Sequence, residues 1–434
     1  MKFKQIFILM AILISVASCD LISGGEDNSG DTDGSGSTSG SDQLAKEVAD
    51  AKSFYSKAGA LFKFRAFAFN GDLNNRHEMH IKKIFEKGGQ LSYISESWTT
   101  FGGTSFAYKI NPTGDLVLEH SLSGNFLHPK FENEINPENQ LISFNYGTDA
   151  TSHGGYGNAR GTLHNHSLQK YQILAMNQSD QGYMTQLKGK TFVLSMGLNS
   201  NSGRPSLYTH IPGQTPAQDK WELKDLEFIR NAGINFTNDA SKAGNQNKIF
   251  WTWISYDALN TTQGKLHVVT FDGSNFSAIT SKAIGQVGET LSMSSKHMPI
   301  LYKNPNNLDQ PYIVVRRYNN LNVFDIYKYT GNAIETIIEG VTLPSTLPST
   351  NGTVRDFKEM AFTGTNLYLI NGFDNKLYKL KGKDWEEVGS KLIKGENKFT
   401  AIEGGADGLY IGISYLLQVG NIVRIGGDLV FLKN

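Results

Sequence analysis

Short apolar runs broken by polar turns fill most of this chain, and from about residue 190 onward they return in one fixed order. Residues 191–196 (TFVLSM) precede 206–209 (SLYT), a turn and Trp221. Residues 249–256 (IFWTWISY) precede 265–271 (KLHVVTF), then Asp272-Gly273 and Phe276. Residues 312–316 (YIVVR) lead to 323–329 (VFDIYKY), Gly331 and Ile334, and 367–370 (LYLI) lead to 376–380 (KLYKL), Gly382 and Trp385. The last unit runs from 409–413 (LYIGI) through 421–425 (NIVRI) and Gly426-Gly427 to 429–432 (LVFL). Runs of this length, bounded by Gly, Asn, Asp and Pro, predict β-strands and an all-β protein. Helical spacing is confined to residues 43–55 (QLAKEVADAKSFY), where Leu44, Val48 and Ala51 share a face, followed by Phe54 and Tyr55. That pattern predicts one short amphipathic helix within residues 44–59.

The units begin near residues 191, 249, 312, 367 and 409, at intervals of 58, 63, 55 and 42 residues. A recurring three-strand unit of blade size marks a propeller or a solenoid. Residues 60–434 resemble β-propellers in general, of the kelch or WD-repeat sort. No WD dipeptide closes the blades, and the Gly-Gly pairs at 88–89, 102–103, 154–155, 404–405 and 426–427 keep no kelch register. The expected fold is a propeller of about seven blades, with six and eight also compatible. Before residue 190, where the units are less regular, residues 62–69, 106–118 and 141–146 are the expected inner strands. A pair of β-sandwiches is the alternative; the fixed order of the unit favours the propeller.

The start of the chain has another character. Lys2 and Lys4 precede an apolar stretch at residues 6–14, and Val16-Ala17-Ser18-Cys19 follows. The stretch is shorter than the roughly 20 residues of a spanning helix. It resembles the signal of bacterial lipoprotein precursors, ending in a lipobox. The resemblance implies that residues 1–18 are removed and that Cys19 carries a diacylglyceryl group and usually a further acyl chain. More than one chain anchors stably, so the expected partner is a membrane, held without being spanned. Residues 20–43 (DLISGGEDNSGDTDGSGSTSGSDQ) offer almost nothing to bury and are expected to be a disordered tether. Its typical span is about 25–30 Å. Acidic stretches behind the cysteine resemble the export tethers of surface lipoproteins in Bacteroidetes-like bacteria, which implies an outer-membrane, surface-exposed location. Asp27, Asp31 and Asp33 suggest a calcium loop starting at Ser29, but its bidentate position falls on Gly40.

Cys19 is the only cysteine, so the mature body has no thiol for a disulfide, a zinc-thiolate centre or a nucleophile. With 39% hydrophobic and 11% aromatic residues in 434, it can be held by its core alone. The chain balances 41 basic against 41 acidic residues, and beyond residue 43 the balance is +4. That charge, with no basic stripe, argues against nucleic acid.

Candidate chemistry is sparse. His153, His164 and His166 cluster around a Gly-rich stretch, with His164 and His166 on one strand face, a candidate beginning for a metal or haem site. No carboxylate or thiol stands at ligand spacing, so no metal and no cofactor is assigned. Trp251 and Trp253, with Tyr256 close by, are either a stacking platform for a sugar or planar ligand or blade-packing aromatics. Arg316 is a candidate for an anion at the channel or top face. Lys188-Gly189-Lys190-Thr191 imitates a phosphate loop, but the earlier glycine is Met184 and strand residues follow. No catalytic motif emerges. The expected function is a non-enzymatic binding or docking module that captures a glycan, a siderophore or haem, or joins an outer-membrane protein. The alternatives are a propeller hydrolase or lyase acting on glycans and a structural subunit of an envelope assembly.

Overall fold

A computed structural model describes residues 40–67, 80–87, 90–99, 102–110, 116–123, 132–135, 141–147, 160–165, 170–175, 182–195, 205–211, 220–232, 235–236, 241–244, 247–257, 260–284, 299–317, 320–344, 359–372, 374–419 and 422–434. Among them, strands form seven antiparallel sheets, six of four strands and one of five. Six sheets are built from consecutive strands: blade 1 (residues 80–123), blade 2 (132–175), blade 3 (182–225), blade 4 (235–284), blade 5 (300–342) and blade 6 (359–387). In blade 4 the inner strand comes in two pieces, Asn235–Phe236 and Ser241–Gly244, both paired to Ile249–Asp257. The fold is therefore an all-β, seven-bladed propeller.

Blade 7 closes the ring differently. Its first three strands are Lys398–Gly404, Gly408–Val419 and Ile422–Lys433, and its fourth is Ala60–Phe67 from the other end of the chain. This strand runs antiparallel to Ile422–Lys433, from Ala60 opposite Leu432 to Phe67 opposite Gly426. Helix α1 (Gly40–Lys57) precedes it and buries Ala51 and Tyr55 in the cluster between blades 6 and 7.

Blade-on-blade packing explains the apolar runs. In blade 4, Trp251, Trp253, Val269 and Phe271 face blade 3, whereas Phe250, Ile254, Leu266 and Val268 face blade 5. Blade 5 alternates likewise, with Ile313, Val315 and Tyr327 towards blade 4 and Tyr312, Val314 and Phe324 towards blade 6. A strand buried on both faces needs apolar residues at every position, and that makes it visible as a continuous run. The outer strands alternate instead: Ile334–Thr342 buries Ile334 and Val341 and exposes Ile337. Turns between third and fourth strands carry glycine at one recurring place. Gly273, Gly331 and Gly382 have φ of +94°, +102° and +64°, a region that glycine occupies without strain.

Several expectations need correction. Within 62–69, residues 62–67 do not start an inner strand, because they belong to the outermost strand of blade 7, and residues 68–69 lie outside the described residues. Residues 106–118 fall on the third and fourth strands of blade 1, and 141–146 on the second strand of blade 2. The repeat starts at 191, 249, 312, 367 and 409 mark second strands, since the first strands are short or polar: Ile300–Tyr302 and Glu359–Thr363 carry little pattern. Residues 422–432 lie in one strand rather than two, so this stretch supplies three strands to blade 7 and Ala60–Phe67 supplies the fourth.

Candidate functional site

The seven inner strands surround the central channel. We call upper the face where they begin and lower the face where they end. At the lower end, Glu86 closes the inner strand of blade 1, Glu403 stands near the end of that of blade 7, and Lys303 follows that of blade 5. Blades 1 and 5 are three places apart in a ring of seven, as far as two blades can be, so the Lys303 side chain reaches across the axis.

The Lys303 ammonium donates to Glu86 Oε2 at 3.0 Å, to Glu403 Oε1 and to the Glu86 backbone carbonyl. These contacts use all three of its donors. Burial acts to lower its pKa, but Glu403 and Glu86 outweigh burial and hold it above the ordinary lysine value. The backbone behind it is stiffened by asparagines. Asn304, itself buried, donates from Nδ2 to the Gln310 carbonyl at 3.0 Å and accepts the Asn306 amide at 3.2 Å. Asn307 accepts the Asp309 amide at 3.1 Å. The two carboxylates thus converge on an ammonium, which occupies the space a reacting atom would need.

A second charged cluster fastens the ring closure. Arg65 grips Asp428 through Nε–Oδ1 at 2.7 Å and a second nitrogen to Oδ2 at 2.8 Å, and Tyr55 donates to Oδ2 at 2.9 Å. The guanidinium lies 4.1 Å from the Tyr415 ring centroid and donates to the Glu47 carbonyl at 3.3 Å. Burial pushes the Tyr55 hydroxyl far above its usual range, with Asp428 adding to the shift. Burial also lifts Asp428, with Arg65 and Tyr55 pulling the other way. This bonding fixes the direction of α1. Its last residue sits by Ala60 at the lower edge, while Glu47 reaches Arg65 further up. The helix therefore runs back along the strand, and its first residue points to the upper face.

Blade 4 holds a third arrangement. His267 Nε2 lies 2.6 Å from Ser255 Oγ and Nδ1 lies 2.8 Å from Ser281 Oγ, while Trp253 stacks on the ring at 5.1 Å. Burial, and then Lys265, push its pKa down from 6.5 to about 4. The ring is neutral at ordinary pH, donating at one nitrogen and accepting at the other. So weak a base is poorly matched to activating a serine.

The residues singled out from sequence are not brought together. Trp251 and Trp253 are wholly buried between blades 3 and 4, so neither is available as a stacking platform. They pack because a blade face needs large side chains. Arg316 is buried within blade 5 opposite Phe324. It and Tyr256 stand towards the upper ends of their blades' second strands. His164 pairs with Ser143 and Tyr171 in blade 2. His153 and His166, and the side chains of His164 and Tyr256, lie outside the described residues. Lys188-Gly189 is the two-residue turn of a hairpin, with φ of +53° and +71° as such turns require. Among the described residues, no group of three or more His, Cys, Asp or Glu is placed to hold a metal ion. Sequence reasoning missed Lys303, Glu86 and Glu403. They lie 217 and 100 positions apart along the chain, and only the propeller topology joins them.

No family model matches this chain, and no curated protein does. Among solved structures it is similar to the β-propeller domain of the trilobed protease from Pyrococcus furiosus, with 7% identity over 83% of this chain and 97% of that one and a TM-score of 0.41. It is also similar to a puromycin-hydrolyzing peptidase from Mycobacterium tuberculosis, with 8% identity and a TM-score of 0.41 over 83% of this chain and 54% of that one, about half its length. An α-L-arabinofuranosidase from Fusarium graminearum aligns with 10% identity over 86% of this chain and 98% of that one, at a TM-score of 0.33.

Proposed function

We propose that this chain is a lipid-anchored propeller of the outer membrane that acts as a non-enzymatic docking module, its upper face turned to a membrane-embedded partner. The observation that carries the reading is the direction of α1. The helix starts towards the upper face, so a tether arising from Cys19 leaves the body on that side.

At the upper face each fourth strand of blades 1 to 6 ends and the first strand of the next blade begins. Chain between blades spans residues 285–299 from blade 4 to blade 5 and 343–358 from blade 5 to blade 6. Lower-face turns are as short as Lys188-Gly189 and Gly382-Lys383. Long connections on a rigid ring are where propellers and other scaffolds place recognition. The lower face has its converging carboxylates occupied by Lys303, which leaves no room there for a substrate between them. A glycan hydrolase needs such a carboxylate pair open to its substrate.

Two measurements test this reading. Cys19→Ala should move the protein from the membrane to the soluble fraction; continued membrane association would sink the anchor. Photocrosslinking amino acids at Lys394 and Lys398, on the upper face, should join the protein to one membrane partner in intact cells. The same groups at Asn332 and Lys383, on the lower face, should not. Equal crosslinking from both faces, or from the lower face alone, overturns the docking orientation.

A further inference from the structure

The cage around Lys303 is made of oxygen alone: one carboxylate oxygen from each of two inner strands and a backbone carbonyl. Carboxylates mixed with a carbonyl are the ligand set that a hard divalent cation takes. Here the cation is a side chain, delivered from the far side of the ring on a loop stiffened by Asn304 and Asn307. The cage is partly shielded from water, with Glu86 15% and Glu403 22% exposed. One ammonium neutralises only one of the two carboxylates. Without it, two negative groups would face each other at the point where blades 7 and 1 meet.

We propose that Lys303 is a tethered substitute for a bound metal ion, shutting the lower mouth of the channel and tying blade 5 to the seam between blades 7 and 1. Removing the side chain beyond its Cβ should then free the cage and convert a metal-independent ring into a calcium-dependent one.

The test uses the full chain with Lys303→Ala, read by thermal unfolding with and without calcium chloride. Without calcium, Tm should fall by about 5 °C or more, as expected when a shielded ion pair loses one partner. Calcium at about 5 mM, in the range where weak oxygen sites fill, should restore at least half of that loss. The parent protein and the double variant Lys303→Ala/Glu403→Gln should not respond to calcium. Equilibrium dialysis should find one more calcium per chain on Lys303→Ala than on the parent. If Lys303→Ala does not fold alone, refolding in calcium must recover the folded ring. An unchanged Tm overturns the proposal, as does a loss that calcium does not repair or an equal calcium response in the parent.

Discussion

Blade 4 is cut from one continuous stretch of chain and filled with Phe250, Trp251, Trp253 and Phe271. Blade 7 takes strands from both ends of the chain and is fastened by the buried pair of Arg65 and Asp428. Its seam with blade 1 is tight rather than bulky. A Cβ on Gly427 would lie 3.1 Å from Ile81 Cγ1, and one on Gly412 would lie 3.1 Å from Ile81 Cβ. Large aromatics fill space and tolerate modest error in strand position, whereas a bidentate ion pair specifies it. The blade whose strands must find each other across the whole chain carries a buried bidentate ion pair at that junction.

The largest expected effect attacks blade 4. Trp251→Ala removes the largest kind of core side chain and should lower unfolding free energy by about 3–5 kcal/mol. Chemical denaturation measures it, and a loss below 1 kcal/mol would mean that the aromatic wall is not what holds this blade. Asp428→Asn attacks the clasp and should lower it by about 3 kcal/mol, because Arg65 is left buried without its counter-charge. That loss should persist at high salt, as ions screen a buried pair poorly. A loss that disappears in salt would make the clasp a surface feature.

Blade 4 should also be the acid-sensitive one. The folded pKa of His267, about 4, lies below its ordinary 6.5, so on acidification the unfolded chain takes the proton first. The contribution of the neutral ring is complete above pH 6.5, drains as pH falls towards 4, and changes no further below that. The loss should total about 3 kcal/mol. His267→Gln should flatten the stability profile over that window, and an unchanged slope would assign it to other groups. The smallest effect is expected from Tyr55→Phe, which removes one donor to Asp428 and should lower stability by about 1 kcal/mol. Hydrogen exchange should place that loss in Ala60–Phe67 and its partner strand, leaving blade 4 unchanged.

The same contrast decides what could be read in the sequence. Second and third strands announce themselves, because Ile249–Asp257 and Tyr312–Arg317 are apolar on both faces. Blade size and fold class follow from them. Inner strands were illegible because they are short, with only three residues in Ile300–Tyr302 and five in Glu359–Thr363. The role of Ala60–Phe67 was hidden for another reason: its partner lies more than 360 positions away, as Arg65 and Asp428 do at 363. Trp251 and Trp253 show the converse limit, as an indole pair on a strand reads alike whether it faces a ligand or a neighbouring blade. The channel cluster carried no signal, since Lys303, Glu86 and Glu403 are ordinary charged residues until three blades bring them together.

The two-ended closure of blade 7 also sets a timetable. At about 5–20 residues per second, synthesis from Phe67 to Ile422 takes roughly 20–70 s. Over that interval the strand Ala60–Phe67 exists without its partner strand Ile422–Lys433. An unpaired strand is a template for the wrong partner. The ring therefore cannot be closed until Ile422–Lys433 has been made, and a cell making this protein must keep Ala60–Phe67 waiting for that strand.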